Sequence, residues 1–311
     1  MPSLLLLAPF PDFLLEPLQK AFVCHEGRTP DELEGALREH GASIRAVVGG
    51  GGTDYAQALL EQLPSLEIIA VNGVGYDGVP LAYCRERGIR VTNTPDVLTE
   101  DVADTALALV LLTARKLVQA NRFLHAGNWE HGPFELAMKA GGKRAGILGL
   151  GRIGLAIAWR LAQLGMEIGY HGRALQEEVP FDYFETLPEM AEWCDFLIVA
   201  CPGGPATRHL VNADVLRALG PQGTLINIAR GSIVDEVALI EALQHGLIKA
   251  AGLDVFANEP QVPEVLLRLE NAVLLPHVGS ATEETRRAMM DLVVRNLHAH
   301  FAGEPLVTPV A

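Results

Sequence analysis

Three glycines at fixed spacing, Gly149-Leu-Gly151-Arg-Ile-Gly154, follow the apolar stretch Ala145–Leu148 and open an amphipathic segment that Gly165 ends. The spacing suits one task. Gly149 makes a tight turn, Gly151 lets the backbone approach a pyrophosphate, and Gly154 lets a helix pack closely on a strand. The helix that begins here with Arg152 and Ile153 turns free N–H groups and its positive dipole end toward an anion. The ligand implied is a dinucleotide. About twenty residues past the middle glycine, where an NAD site keeps an acid for the ribose 2′-hydroxyl, the chain reads His171-Gly172-Arg173. An acid repels a 2′-phosphate, whereas histidine and arginine attract one, so NADP(H) is expected to be preferred over NAD(H).

The elements that must hold this loop follow an alternating pattern. From Lys143 onward six strands are expected, Ala145–Leu148, Glu167–His171, Phe196–Ala200, Thr224–Asn227, Ala250–Leu253 and Ala272–Leu275, with helices between them. Six is the number a complete dinucleotide-binding sheet needs. A first series, with strands at Leu4–Ala8, Ile44–Val48, Glu67–Val71 and Ile89–Thr92, precedes it. A helix that is apolar on nearly every face joins the two, starting at Thr99. Such a helix must be buried on several sides, between domains or between subunits. A last helix is expected from Ser280, where Ser280 and Glu283 form an S-x-x-E capping box, to about Phe301.

Composition narrows the function classes. The chain has 311 residues, enough for two cores, and 49% of them are hydrophobic, which excludes disorder by composition. Its net charge of −14 repels phosphate backbones and anionic headgroups, so neither nucleic acid nor a membrane is an expected partner. The four cysteines show no C-x-x-C spacing, and the opening MPSLLLLAPF lacks the positive region of a signal peptide, so a cytoplasmic protein with reduced thiols is expected. The other histidines make no H-E-x-x-H or similar metal pattern, and no metal is expected.

Several ordered motifs carry a resemblance. Asn72-Gly-Val-Gly-Tyr-Asp77, Thr94-Pro-Asp-Val-Leu-Thr99, Gly149–Gly154, Asn227-Ile-Ala-Arg-Gly-Ser-Ile-Val-Asp235, Gly252-Leu-Asp-Val-Phe-Ala-Asn-Glu-Pro260 and Pro276-His-Val-Gly-Ser280 together resemble the D-2-hydroxyacid dehydrogenases. Within that family the glyoxylate/hydroxypyruvate reductases are most alike. The resemblance implies that Arg230 binds the substrate carboxylate and carbonyl, that His277 is the general acid/base, and that Glu259 pairs with His277. The chemistry agrees. Hydride delivery to a ketone leaves an alkoxide, and a histidine, ordinarily titrating near ~6.5, suits the proton donation at neutral pH. A carboxylate on its other nitrogen orients the ring, and an arginine fork fits a planar 2-oxo carboxylate better than lysine does.

The resemblance also implies that Val74 and Gly75 offer backbone N–H groups to the carboxylate. Thr105, Cys201, Pro202, Thr207, Ile228, Ala229, Asp254 and Gly279 occupy positions that line the cofactor in the family, with Arg230 and His277 beside them. One stretch, Ala137–Arg144, departs from the family's usual Ser/Thr-rich pattern.

The expected fold is therefore α/β, with two doubly wound parallel-sheet domains. A Rossmann dinucleotide-binding domain at 99–282 is inserted into a flavodoxin-like substrate domain made of 1–98 and 283–311. The expected activity is NADPH-dependent reduction of a small 2-oxo acid to the (R)-2-hydroxy acid by a homodimer. Two alternatives stand beside it: an aryl-pyruvate (hydroxyphenylpyruvate) reductase, and a non-catalytic dinucleotide-sensing regulator similar to the C-terminal-binding-protein corepressors.

Overall fold

Leu4, Leu5 and Leu6 are fully buried, in strand β1 (Ser3–Leu6) of a five-stranded parallel sheet in the computed structural model, which describes residues 1–310. The sheet adds β2 (Val23–Glu26), β3 (Ile44–Gly50), β4 (Ile68–Asn72) and β5 (Arg90–Thr92), in spatial order β2-β1-β3-β4-β5. This is the flavodoxin-like doubly wound order. Helices α1 (Asp12–Ala21), α2 (Pro30–His40), α3 (Gln57–Leu60) and α4 (Leu81–Arg87) connect the strands. The leucine run has a simple cause: both faces of the sheet are covered. Leu5 packs with Ile44, Val47 and Ile69 on one side, and Leu4 and Leu6 pack with Met290, Val293 and Leu297 of the helix Glu283–Ala302 on the other. Met1–Leu98 and the chain from Thr282 onward form this unit.

Two of its elements escape sequence periodicity. Helix α1 carries Pro17 in its body, a residue that ordinarily interrupts a helix, yet it buries Leu14, Leu15 and Leu18. Strand β2 is an edge strand with no fully buried residue, so it lacks the apolar run that marks its neighbours. The helix Glu283–Ala302 also starts later than its sequence indicates. Its cap is Thr282, whose Oγ1 accepts the Thr285 amide at 3.2 Å, not Ser280.

Thr99–Ala281 forms the second unit. Its order along the chain is α5 (Thr99–Ala114), α6 (Leu117–His125), β6 (Arg144–Leu148), α7 (Arg152–Gln163), β7 (Glu167–His171), β8 (Asp182–Tyr183), α8 (Leu187–Trp193), β9 (Phe196–Val199), α9 (Ala213–Leu219), β10 (Thr224–Asn227), α10 (Glu236–Gln244), β11 (Ala250–Leu253), α11 (Glu264–Arg268) and β12 (Ala272–Leu274). The sheet is wholly parallel, ordered β12-β11-β10-β9-β6-β7-β8. That is the Rossmann order with one strand added, and its switch point lies between β6 and β9. The two-residue β8 is too short to leave a sequence signal.

The apolar helix α5 packs against α7, β10, β11 and β12 of its own unit, burying Val102, Ala103, Ala106, Leu109, Val110 and Ala114. Arg160 of α7 braces it, donating from Nε to Asp104 at 2.7 Å and from a terminal nitrogen to Glu100 at 2.6 Å. The exposed apolar surface lies further on, over α6 and the segment after it. Helix α6 buries no residue, Trp129 is 68% exposed, and Leu136 is 98% exposed. Among the described residues no helix is long and apolar enough to cross a membrane.

Candidate active site

The glycine loop occupies the turn from β6 into α7, beside the switch point. Gly149 has φ 95°, and a Cβ there would sit 2.6 Å from the Cα of Cys201, in the adjacent loop after β9. A Cβ on Gly154 would lie 2.0 Å from the Gly149 carbonyl oxygen. Neither position tolerates a side chain without moving backbone. Around Gly151 a Cβ meets nothing within 4 Å, so this is the open side of the loop, and no side chain of the N-cap closes the start of α7. An anion-binding turn needs that combination of two packed glycines and one open glycine. The residues present fit the pyrophosphate of a dinucleotide. Arg152 is exposed at the first position of α7 and Ile153 is half-buried beside it.

His171 ends β7, and its carbonyl accepts the Gly149 amide at 2.9 Å, tying the two turns together. Its Nδ1 donates to the Phe184 carbonyl at 2.9 Å, which fixes the ring and leaves Nε2 available. Gly172 follows, and Arg173 is exposed with no side-chain partner among the described residues. Gln176 holds this loop over the glycine turn, donating from Nε2 to the Leu150 carbonyl at 2.9 Å while its own amide donates to the Tyr170 hydroxyl at 2.7 Å. Nothing in the local sequence singles out Gln176.

The three residues expected to do chemistry lie beyond the carboxyl ends of β10, β11 and β12. Asn227 closes β10, accepting the Ala229 amide at 3.1 Å and donating to the Arg230 carbonyl at 3.0 Å. This turn sets Arg230, and Ile228 and Ala229 lie within it. Nδ1 of His277 lies 2.6 Å from Oε2 of Glu259, and the other Glu259 oxygen accepts the Phe256 amide at 2.9 Å. Burial alone pushes the Glu259 carboxyl up, but the His277 hydrogen bond, the His277 charge, the Phe256 amide and the Arg230 charge outweigh it and hold the carboxyl below its ordinary value. Arg230, Glu259 and His277 thus belong to one electrostatic cluster. Glu236, at the start of α10, accepts the Ala257 amide at 3.1 Å and pins the same turn.

His277 has φ 53°, a left-handed conformation that costs a non-glycine residue roughly 1–2 kcal/mol. Asp254 holds it there. This carboxylate is 1% exposed, and its two oxygens accept the amides of Val278 at 2.7 Å and Gly279 at 2.8 Å, while its carbonyl accepts the His277 amide at 2.9 Å. Burial raises the Asp254 carboxyl above its usual value, and the two amides oppose that rise.

Cys201 is buried against Gly149, and Thr207 donates its hydroxyl to the Pro202 carbonyl at 2.8 Å, closing the loop after β9. Thr105 is half-buried on α5. Val74 and Gly75 belong to the first unit, in the loop after β4. A Cβ on Gly73 would meet the Gly51 Cα at 2.8 Å, so this loop lies directly against the glycine run after β3. Among the described residues no group of three His, Cys, Asp or Glu is placed to hold a metal ion.

Known proteins similar to this chain identify its family. The family described as D-isomer specific 2-hydroxyacid dehydrogenase, NAD binding domain, matches residues 107–279. The chain is 49% identical over 308 residues to glyoxylate/hydroxypyruvate reductase A HPR2 of Arabidopsis thaliana, covering 99% of this chain and 98% of that one. It is 48% identical over 308 residues to hydroxyphenylpyruvate reductase of Plectranthus scutellarioides, with the same two coverages. Among solved structures, an NADPH-dependent glyoxylate/hydroxypyruvate reductase from Sinorhizobium meliloti, in complex with NADP and malonate, superposes with a TM-score of 0.94 at 49% identity, covering 100% of this chain and 97% of that one. With two doubly wound sheets, an open glycine turn, a family match over residues 107–279 and relatives about half identical over nearly the full chain, the chain belongs to the D-isomer specific 2-hydroxyacid dehydrogenase family.

Proposed function

We propose that this protein catalyses NADPH-dependent reduction of a small 2-oxo acid, of the glyoxylate or hydroxypyruvate type, to the (R)-2-hydroxy acid. The observation that carries the reading is the Glu259–His277 pair, oriented at 2.6 Å and next to Arg230 beyond the carboxyl ends of three adjacent strands. NADPH, when bound, supplies the hydride. His277 then has the proton to give at the carbonyl oxygen, from the ring nitrogen that Glu259 does not occupy. Glu259 holds the opposite ring nitrogen and fixes the plane of the ring. Arg230 takes the substrate carboxylate and carbonyl oxygen, and the Val74 and Gly75 amides take the carboxylate. The first unit is then the substrate domain and the second the dinucleotide-binding domain. Gly149, Gly151, Arg152, Ile153 and Gly154 hold the pyrophosphate, and His171, Gly172 and Arg173 hold the 2′-phosphate. Thr105, Cys201, Pro202, Thr207, Ile228, Ala229, Asp254 and Gly279 line the rest of the cofactor.

The protein acts as a homodimer through the apolar face of α6 and the segment after it. Leu117, Leu124, Trp129 and Leu136 are exposed there, and concave pockets of about 570 and 590 Å³ flank Leu136, Ala137 and Met138. A second copy is the economical cover for so much apolar surface on a chain of this size. Four unbridged thiols, with Cys194 and Cys201 pushed by burial to about 12 and 11, suit the reducing cytosol.

The relative named hydroxyphenylpyruvate reductase, at 48% identity against 49% for the first, keeps an aryl-pyruvate in the test. The test is loss of 340-nm absorbance with NADPH and with NADH against a panel of glyoxylate, hydroxypyruvate and hydroxyphenylpyruvate. The reading requires NADPH-dependent turnover of a small oxo acid. Turnover of the aryl substrate alone transfers the assignment to the second reading, and no turnover with any of them rejects both.

A further inference from the structure

Asn296 is completely buried in the middle of the helix Glu283–Ala302 and is none of the residues assigned above. A buried primary amide must satisfy two donors and a carbonyl oxygen, and Asn296 directs most of that capacity to the segment after its own helix. Its Oδ1 accepts the amides of Val307 and Thr308, both at 3.0 Å. Its Nδ2 donates to the Leu292 carbonyl and to the Thr308 hydroxyl, both at 2.8 Å. Thr308, having accepted, donates its own proton to the Asn93 carbonyl at 2.6 Å, and the Asn93 amide donates back to the Thr308 carbonyl at 3.4 Å. Pro309 bridges antiparallel to Thr92, and the Val310 amide donates to the Val91 carbonyl at 2.8 Å. Residues 307–310 thus run along the free edge of β5 and stop Asn93 from rotating.

The Asn93 side chain is the outlet of this chain of bonds. Its Nδ2 donates to the Val74 carbonyl at 2.9 Å. The next residue, Thr94, donates its amide to the Gly73 carbonyl at 2.9 Å. A peptide group is planar, so a carbonyl fixed on one side fixes the N–H on the other. The Gly73 carbonyl belongs to the same plane as the Val74 N–H, and the Val74 carbonyl to the same plane as the Gly75 N–H. Asn93 and Thr94 therefore aim the two amides assigned above to the substrate carboxylate.

We propose that Asn93, held by Thr308 and Asn296, is a positioning residue for substrate, orienting the Gly75 amide through the Val74 carbonyl. The inference rests on the reading that Val74 and Gly75 bind the carboxylate. Each hydrogen bond in the relay polarises the next, and the donor at its end is set before substrate arrives. Such an arrangement lowers the cost of binding an anion on backbone amides, because the loop has no freedom left to lose.

Two variants of the full-length protein test it, Asn93→Ala and Thr308→Val, with Thr308→Ser as the conservative control that keeps the hydroxyl. Steady-state kinetics with glyoxylate, hydrogen exchange of the peptide spanning 72–77, NADPH affinity and Tm are measured together. The relay predicts faster exchange in 72–77 for Asn93→Ala and Thr308→Val. KM for glyoxylate should rise roughly tenfold, the loss of one oriented hydrogen bond. NADPH affinity should stay unchanged, and Thr308→Ser should behave as the parent. A merely structural loss lowers Tm and turnover without splitting KM from NADPH affinity. Unchanged exchange in both variants overturns the relay. Faster exchange with unchanged KM leaves the relay intact but contradicts the carboxylate assignment of Val74 and Gly75, and with it the proposed role in substrate positioning.

Discussion

His277 and Glu259 are 18 residues apart in sequence, on loops that follow different strands, and their side chains meet at 2.6 Å, Nδ1 to Oε2. The contact occupies Nδ1 and leaves the far ring nitrogen for the proton donation proposed above. Glu259 is held below its ordinary carboxylate value, burial being outweighed by the His277 hydrogen bond and charge, so it stays ionised throughout any neutral assay range. Its contribution to stability is accordingly present above the unfolded carboxylate value and is lost only as pH falls through its depressed folded value. In Glu259→Gln the ring loses the carboxylate that orients it, and turnover should fall by at least about tenfold while NADPH affinity stays nearly unchanged. Steady-state kinetics of the folded variant check this; parent-like kcat separates Glu259 from the proton step.

Asp254→Asn replaces one acceptor oxygen with a donor that faces a backbone N–H. One of the two amides after His277 is then left without its charge-assisted bond, worth about 1.5–3 kcal/mol, while His277 still has to sit at φ 53°. Turnover is expected to drop by at least about tenfold. Tm should fall as well, and glyoxylate affinity should change less than kcat. Parent-like kcat in a folded Asp254→Asn protein means that the loop keeps its conformation without the clamp.

Arg173→Ala tests the cofactor preference. Arg173 is exposed, with no side-chain partner among the described residues, beside a His171 ring fixed by Phe184. Losing its charge-assisted bond to a 2′-phosphate should weaken NADPH use roughly ten- to a hundredfold and leave NADH use little altered. Equal effects on both cofactors, or none on either, place Arg173 away from the ribose.

Much of the site is legible in the amino-acid sequence alone. The glycine spacing, His171 and Arg173 at a strand end, and Arg230, Glu259 and His277 in separate motifs are all local signals. The residues that hold them are not. Gln176 grips Leu150, Glu236 grips Ala257, and Asn93 grips Val74, through polar groups whose partners only the fold brings near. The fold divides in the same way. Strands buried on both faces announce themselves by apolar runs, as at Leu4–Leu6. The edge strand β2 and the two-residue β8 bury too little to do so, and Pro17 disguises α1. Ser280 competes with Thr282 as the cap of the last helix because both residues offer a hydroxyl, and only the backbone geometry shows which amide is reached.

Association is predicted from the same bookkeeping of apolar surface. Solution scattering or sedimentation at micromolar concentration should give twice the 33.5 kDa chain mass, and Leu136→Asp should shift the particle toward monomer. A parent protein that is monomeric under these conditions leaves the exposed Trp129 and Leu136 for some other cover.

His277→Ala offers the most direct test of the central claim, that this chain reduces a 2-oxo acid with proton donation from His277. Turnover of NADPH with glyoxylate should be measured beside NADPH affinity in parent and variant. A positioned general acid contributes about 10²–10⁴-fold. The account predicts a loss of kcat in that range with cofactor affinity nearly unchanged, because the proton is needed only as the carbonyl is reduced. A variant that keeps more than about a tenth of parent turnover contradicts the assignment, since a general acid at that site cannot be worth so little.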